Sequence, residues 1–190
     1  MRINEIFYSL QGEGHFSGTP AIFIRFSGCN LKCSFCDTDH SAFQEMNDDD
    51  IINEVKKYPA HHVVITGGEP TLQLTASLTN KLHELGYFIQ IETNGTHLPD
   101  TGCHIDWTTC SPKYQAVVLP HIDELKVVYD GNDDELMNYE KIKATVYSLQ
   151  PCDTKDKKQN DKNIQGAIGY CLRNPKWRLS LQTHKILGMR

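Results

Sequence analysis

The sequence predicts a single α/β domain over residues 1–190: a parallel sheet with crossover helices, rolled into a modified, incomplete (β/α) barrel. Three observations predict it. Short apolar and β-branched runs alternate with stretches of helical periodicity. Several connections are too short for a full helix, so the crossovers are shortened and the barrel stays open. The residues of unusual chemistry fall directly after successive strands, where parallel sheets carry their sites.

The elements follow in order. Residues 21–27 (AIFIRFS) read as a strand. Residues 48–58 place Ile51, Ile52 and Val55 on one helical face and end at Pro59. Residues 62–66 form a short buried strand, and Pro70 sits where a first helical turn tolerates it. Leu74, Leu78, Leu82 and Leu85 make a helical stripe that Gly86 terminates. Strands follow at 87–93, 105–109, 124–129 and 145–149. Residues 153–163 (DTKDKKQNDKN) carry no apolar side chain and read as a solvated loop. Ile164, Ala167, Ile168, Cys171 and Leu172 then share a helical face, and 178–182 give a last strand.

Composition narrows the function. Hydrophobic residues at 39% and charged residues at 23% describe a globular chain. A net charge of -5 argues against nucleic-acid binding, which needs a basic surface. No run approaches the ~20 apolar residues of a membrane span, and the first residues lack the regions of a signal peptide. A cytoplasmic protein is expected.

The seven cysteines are unevenly placed, with Cys29, Cys33 and Cys36 crowded and Cys103, Cys110, Cys152 and Cys171 scattered. A secreted disulfide framework would not look like this. Clustered thiolates select iron–sulfur clusters, zinc or copper(I). With His40 as a fourth ligand a Cys3His zinc site is open as a reading. Three cysteines on a 4Fe-4S cluster leave one iron free to bind a cofactor or substrate. One strand later comes Gly67-Gly68-Glu69-Pro70, where glycines permit close backbone approach and a carboxylate attracts an ammonium group.

The Cys29-x3-Cys33-x2-Cys36 spacing with that glycine pair resembles the radical S-adenosylmethionine superfamily. Further segments resemble its 7-carboxy-7-deazaguanine synthase family. They are Leu10-Gln11-Gly12-Glu13-Gly14, Gly18-x-Pro20, Phe23-x-Arg25-x-x-Gly28-Cys29-Asn30-Leu31 and Cys36-Asp37-Thr38. Ile91-Glu92-Thr93-Asn94-Gly95-Thr96, Ser111-Pro112-Lys113, Glu124-Leu125-Lys126, Gln150-Pro151 and Gln182-x-His184-Lys185 continue the likeness along nearly the whole chain.

The resemblance implies a shortened barrel of the radical S-adenosylmethionine type. It implies conversion of 6-carboxy-5,6,7,8-tetrahydropterin to 7-carboxy-7-deazaguanine with loss of ammonia, a step toward deazapurines such as queuosine in tRNA. The reaction starts when S-adenosylmethionine is cleaved by one electron and hydrogen is taken from C6 of the pterin. A 4Fe-4S cluster on Cys29, Cys33 and Cys36, magnesium on Thr38, a homodimer and an electron donor such as flavodoxin are implied as well. Gly67, Gly68, Glu69, Glu92, Ser111, Pro112, Lys113, Gln150, Pro151, Cys152 and Asp153 match cofactor segments. Leu10, Gln11, Gly12, Glu13, Arg25, Thr66 and the terminal Arg190 match substrate contacts, with Arg25 suited to a carboxylate by its planar fork. No protein side chain beyond these is expected to be catalytic, because cluster and cofactor carry the radical chemistry.

A glycyl-radical activating enzyme shares the cysteine spacing, and a non-catalytic iron–sulfur or zinc module is the reading from another class. Cys152 follows Gln150-Pro151 without a family reason. Cys103, Cys110 and Cys171 read as core or incidental thiols.

Overall fold

The structure, a computed structural model, describes residues 1–34, 36, 41–113 and 115–189. Its strands are β1 (Arg2–Leu10), β2 (Pro20–Phe26), β3 (Gln44–Glu45), β4 (His62–Gly67), β5 (Phe88–Thr93), β6 (Trp107–Cys110), β7 (Glu124–Tyr129), β8 (Val146–Pro151) and β9 (Trp177–Leu179). Its helices are α1 (Asp48–Val55), α2 (Ala76–Glu84), α3 (Asp133–Tyr139), α4 (Lys157–Arg173) and α5 (Thr183–Leu187). The nine strands form one sheet in the order β3-β1-β2-β4-β5-β6-β7-β8-β9. From β2 to β9 all neighbours are parallel, while β1 runs antiparallel to β2 and to β3. The end strands β3 and β9 do not pair, so the barrel is open. Among the described residues no helix bridges β5 to β6 or β6 to β7.

Alternation along each strand sorts side chains to two faces. On the outer face Ile22, Ile24, Phe26, Val63, Ile65, Ile89 and Ile91 pack against Ile51, Ile52 and Val55 of α1 and Leu78 and Leu82 of α2. Farther along, Leu125, Val127, Tyr129 and Leu149 pack with Leu136 of α3 and Ala167 and Tyr170 of α4. Truncating a fully buried side chain such as Ile24 to alanine would cost about 2–5 kcal/mol. On β5 to β8 the inner face is largely polar, with Gln90 and Glu92 of β5, Thr109 of β6, Glu124 and Lys126 of β7, and Ser148 and Gln150 of β8, whereas toward β1, β2 and β4 Phe7, Ala21, Phe23 and Val64 form an apolar cluster. That division aims the chemistry inward.

Local signals explain the helices. Asn47 caps α1 in a reciprocal box, accepting from Asp50 N while its own N–H reaches the Asp50 carboxylate, both at 3.0 Å. Pro70 opens a 3-10 turn over Pro70–Leu72 and not the helix itself, which begins after Thr75. The stripe loses Leu85, which lies past the end of α2 and is 40% exposed.

The solvated-loop reading of residues 153–163 is corrected, since α4 already runs from Lys157. Asp156 caps it by accepting from Gln159 N at 3.0 Å. No apolar residue is needed in its first turns because the inward residue there is Asn163. Fully buried, Asn163 donates to Cys152 O at 3.0 Å and accepts from Gln159 Nε2 at 2.9 Å. The face of α4 is correspondingly Asn163, Ala167 and Tyr170, with Leu172 79% exposed. Strand β1, antiparallel at the sheet's edge, had no counterpart in the sequence reading, and the last strand starts one residue earlier and ends at Leu179.

Candidate active site

The loop after β2 carries Cys29, Cys33 and Cys36, all with free thiols. Asn30 ties it to the loop after β5: its Nδ2 donates to Thr96 Oγ1 at 2.7 Å, and its Oδ1 accepts from Asn94 Nδ2 at 3.0 Å. Leu31 N donates to Cys29 Sγ at 3.4 Å, a contact that favours a thiolate. Burial pushes the Cys29 and Cys33 thiols up, so they give up protons when a metal takes them. The three cysteines line one cleft of about 290 Å³.

The Gly-Gly-Glu segment is built into that loop. Gly68 N donates to Phe26 O and Glu69 N to Gly28 O, each at 3.0 Å. A Cβ on Gly67 would collide with the Phe26 backbone and one on Gly68 with the Gly28 carbonyl. Both glycines line the cleft, yet the close approach they permit is to the cysteine loop, not only to a ligand. Glu69, expected to meet an ammonium group, is also bonded within the protein. It is fully buried and accepts from Thr71 N (3.1 Å), Thr71 Oγ1 (2.6 Å), Thr93 Oγ1 (2.7 Å) and Asn94 N (2.7 Å). Those bonds lock the loops after β4 and β5 together.

The floor of the cleft is ionic. Lys126 Nζ donates to Glu92 Oε2 at 2.6 Å and to Glu13 Oε2 at 2.7 Å. Gln11 Nε2 donates to Glu92 Oε1 at 3.0 Å, and Gln182 Nε2 to Glu13 Oε1 at 2.8 Å. Burial alone would raise the Glu13 carboxyl, but the Lys126 charge and these hydrogen bonds overcome it and hold it at about 2. The same two carboxylates keep Lys126 cationic despite its burial. Lys113, which donates to Ser111 Oγ at 2.8 Å, is pulled below the usual lysine range by burial and then by Lys126.

The segment after β9 closes the gap that the open barrel leaves. Thr183 N and Oγ1 both donate to Gly12 O at 2.9 Å, and Gly14 N donates to Ser180 Oγ at 2.9 Å. Gly12 is required because a Cβ there would collide with His184. Lys185 reaches Asp153 Oδ2 at 3.0 Å, and the Asp153 carboxyl is held at about 2 by Lys155 N–H, Lys185 and Asn160.

Of the residues expected at the site, all the described ones except Glu69 and Pro112 line this cleft. Thr38, His40 and Arg190 lie outside the described residues. Arg25 lines the cleft with its Nε donating to Glu5 Oε1 at 2.9 Å, an ion pair that still leaves the terminal amino groups for a carboxylate. Cys152 also lines it, buried, with its N–H on Tyr129 O. Lys126, Gln182, His184 and Lys185 also line the cleft, although the family resemblance implies no role for them. A signal for Lys126 was present: a lysine inside the strand ELKVVY has to meet an anion.

Comparison with known proteins gives the family. The model of the Radical SAM superfamily matches residues 23–102. The 7-carboxy-7-deazaguanine synthase of Bacteroides thetaiotaomicron is 55% identical, across 100% of this chain and 98% of its own. The chain belongs to the 7-carboxy-7-deazaguanine synthase family. The synthase of Haemophilus influenzae is 38% identical over 98% of this chain and 93% of its own. The crystal structure of QueE from Escherichia coli superposes with a TM-score of 0.79 at 32% identity, covering 96% of this chain and 94% of that one.

Radical S-adenosylmethionine enzymes use a 4Fe-4S cluster and S-adenosylmethionine, and the residues here fit both. Soft thiolates on a glycine-tethered loop suit iron. The three cysteines lie on one loop and line the same cleft, so each can take one iron of a cluster. No helix among the described residues is long and apolar enough to cross a membrane.

Proposed function

We propose that this chain converts 6-carboxy-5,6,7,8-tetrahydropterin to 7-carboxy-7-deazaguanine with release of ammonia. The observation that carries the reading is one cleft with three cysteines at its mouth and the Glu13–Lys126–Glu92 cluster at its floor. When bound, the cluster and S-adenosylmethionine supply one-electron carbon–sulfur cleavage and hence hydrogen abstraction. The chain's own residues bind and orient. Cys29, Cys33 and Cys36 hold the iron. The backbone at Gly67 and Gly68, Ser111, Lys113 and residues 150–153 face the cofactor. Leu10, Gln11, Gly12, Glu13 and Thr66 face the pterin, whose amide-like edge suits carboxylates and a carboxamide. Glu92, expected among the cofactor residues, faces the pterin as well, a reading supported by Gln11 and the Lys126 bridge to Glu13, which tie it to the floor. Arg25 takes the pterin carboxylate through its terminal amino groups while Glu5 fixes Nε. Strapping residues 180–185 over the opening limits water.

Magnesium on Thr38, completed by substrate oxygens, would orient the pterin. Added magnesium should raise activity, and Thr38→Ala should lose that response with its cluster intact. A homodimer, an electron donor of the flavodoxin kind and a cytoplasmic, deazapurine-forming role complete the reading.

The test is anaerobic incubation of reconstituted protein with the carboxytetrahydropterin, S-adenosylmethionine and a reductant. The deazaguanine and ammonia should appear together. Cofactor cleavage without either product rules the substrate out.

A further inference from the structure

Beneath the Glu13–Lys126–Glu92 floor lies a second buried polar layer that does not open onto the cleft. It consists of His62, Gln90, Thr109, Glu124 and Ser148, each at most 9% exposed. Apolar side chains of similar shape would fill a barrel interior at least as well, so this layer is not accounted for by stability alone.

Its hydrogen bonds have a single direction. The Glu124 carboxylate accepts from Ser148 Oγ and from Thr109 Oγ1, the latter at 3.2 Å. Having donated its proton there, Thr109 Oγ1 accepts from Gln90 Nε2 at 3.3 Å and Trp107 Nε1 at 3.2 Å. His62 Nε2 meets Gln90 Oε1 at 3.0 Å, and only as a donor can it satisfy that carbonyl. The Gln90 amide is thus oriented from both ends, and its Nε2 also faces Glu92 Oε1 at 3.4 Å, beside the Gln11 donor. Turning the amide over would set its carbonyl against the Glu92 carboxylate.

We propose that Gln90, with His62 and Glu124 behind it, is a positioning residue for the substrate, holding Glu92 in place through a one-way relay. The inference rests on the reading that Glu92 faces the pterin. Glu92 has Lys126 on one oxygen and Gln11 on the other, and the relay adds a further restraint beside Gln11, so the floor is set before substrate arrives.

The test uses the full chain, with pterin-6-carboxylate as a fluorescent binding probe and steady-state kinetics of the reconstituted enzyme. Gln90→Leu should weaken probe binding and raise the pterin KM about tenfold, leaving the S-adenosylmethionine KM and iron content near native values. Glu124→Gln keeps the shape but lets an amide donate to Thr109 and reverse the relay. It should weaken the probe several-fold. His62→Phe should act in the same direction, and His62→Gln, which restores a donor, should recover part of the loss. If Gln90→Leu does not fold, the Glu124 and His62 variants decide. Native probe affinity in the folded variants overturns the inference, as does an equal loss toward pterin and S-adenosylmethionine. If the native protein itself neither binds the probe nor forms product, the proposed substrate falls and takes this inference with it.

Discussion

Lys126 Nζ lies 2.6 Å from the Glu92 carboxylate on a side chain that is 3% exposed, and Glu13 meets the same ammonium at 2.7 Å. One cation thus neutralises two carboxylates that are far apart in the chain, one from the first loop and one from β5. Removing the cation leaves both acids buried and mutually repelling. Lys126→Met should cost about 3–5 kcal/mol, which for a domain of this size is a melting-point drop of roughly 10 °C. Adding Glu13→Gln and Glu92→Gln should recover much of that stability while activity stays lost. Calorimetry on the single and triple variants checks this, and an unchanged melting point in Lys126→Met would contradict it.

The same cluster sets a pH window. Glu13 sits at about 2 in the fold against its usual 4.5, so its stabilisation is complete above about 4.5 and is lost as pH falls toward 2. Lys126 is raised above its usual 10.5, so its share is complete below that value and is lost only as pH rises through the raised one. Urea midpoints should therefore stay level from pH 5 to 9 as far as this pair is concerned. The fall between pH 4.5 and 2 should be shallower in Glu13→Gln than in the native protein.

Alanine at Cys29, Cys33 or Cys36 should each abolish turnover, whereas alanine at Cys103 or Cys171 should leave iron content unchanged. Cys103 packs against the outer core and Cys171 against the α4 core, away from the cleft lining. Iron and sulfide analysis with electron paramagnetic resonance distinguishes the outcomes, and full activity in any of the first three removes the cluster assignment. Air should inactivate the native enzyme, since a cluster held by these three cysteines would leave one iron open to oxygen.

Arg25→Lys keeps a charge but loses both the fork and the fixed Nε contact to Glu5. Pterin binding should weaken, and Arg25→Ala should lose about 2–5 kcal/mol of it. Some loss of stability should accompany it, because the Arg25–Glu5 pair is only about a quarter exposed and Arg25→Ala removes the cation beside Glu5, so the pterin effect is measured below the melting transition of the variant. A native pterin KM and turnover in Arg25→Ala would end this assignment.

What could be read from the chain divides by range. The β-branched runs at β2, β4, β5 and β7 announce themselves because each is buried on its own account. The first turns of α4 do not, since their inward residue is a polar Asn163 whose value lies in reaching Cys152 O, a partner supplied by folding. Glu69 reads as a ligand for an ammonium group because Gly-Gly-Glu marks a close approach, and nothing local says that Thr93 and Asn94 will also bond its oxygens. Lys126 and Glu13 stand 113 positions apart, so the ion pair at the centre of the site exists only once β7 is laid beside the first loop. The cysteine triplet is different: its three ligands lie on one short segment and need only a loop to present them.

That loop is also where the last prediction falls. Gly68 is not at positive φ, so alanine would be tolerated by its backbone alone. The obstacle is steric. Gly68 N is bonded to Phe26 O, and Glu69 N to Gly28 O, which pins the end of β4 against the residue preceding Cys29. A methyl group at 68 must push the Gly28 carbonyl away, and the neighbour it meets is backbone, which yields less easily than a flexible side chain. The displaced residue is covalently followed by Cys29, so the strain should appear as misplaced thiolates before it appears as a lost fold. Gly68→Ala should therefore keep native circular dichroism, because the sheet and its outer core are untouched, while its iron content after reconstitution falls several-fold. Gly86→Ala is the control for stability at another glycine, since a Cβ there meets open space although its φ of 80° is strained. It should lower the melting point slightly with iron content unchanged. If Gly68→Ala takes up iron like the native protein, the strand-to-loop bonds are not what presents the cysteines, and Asn30 with its ties to Asn94 and Thr96 becomes the anchor to test.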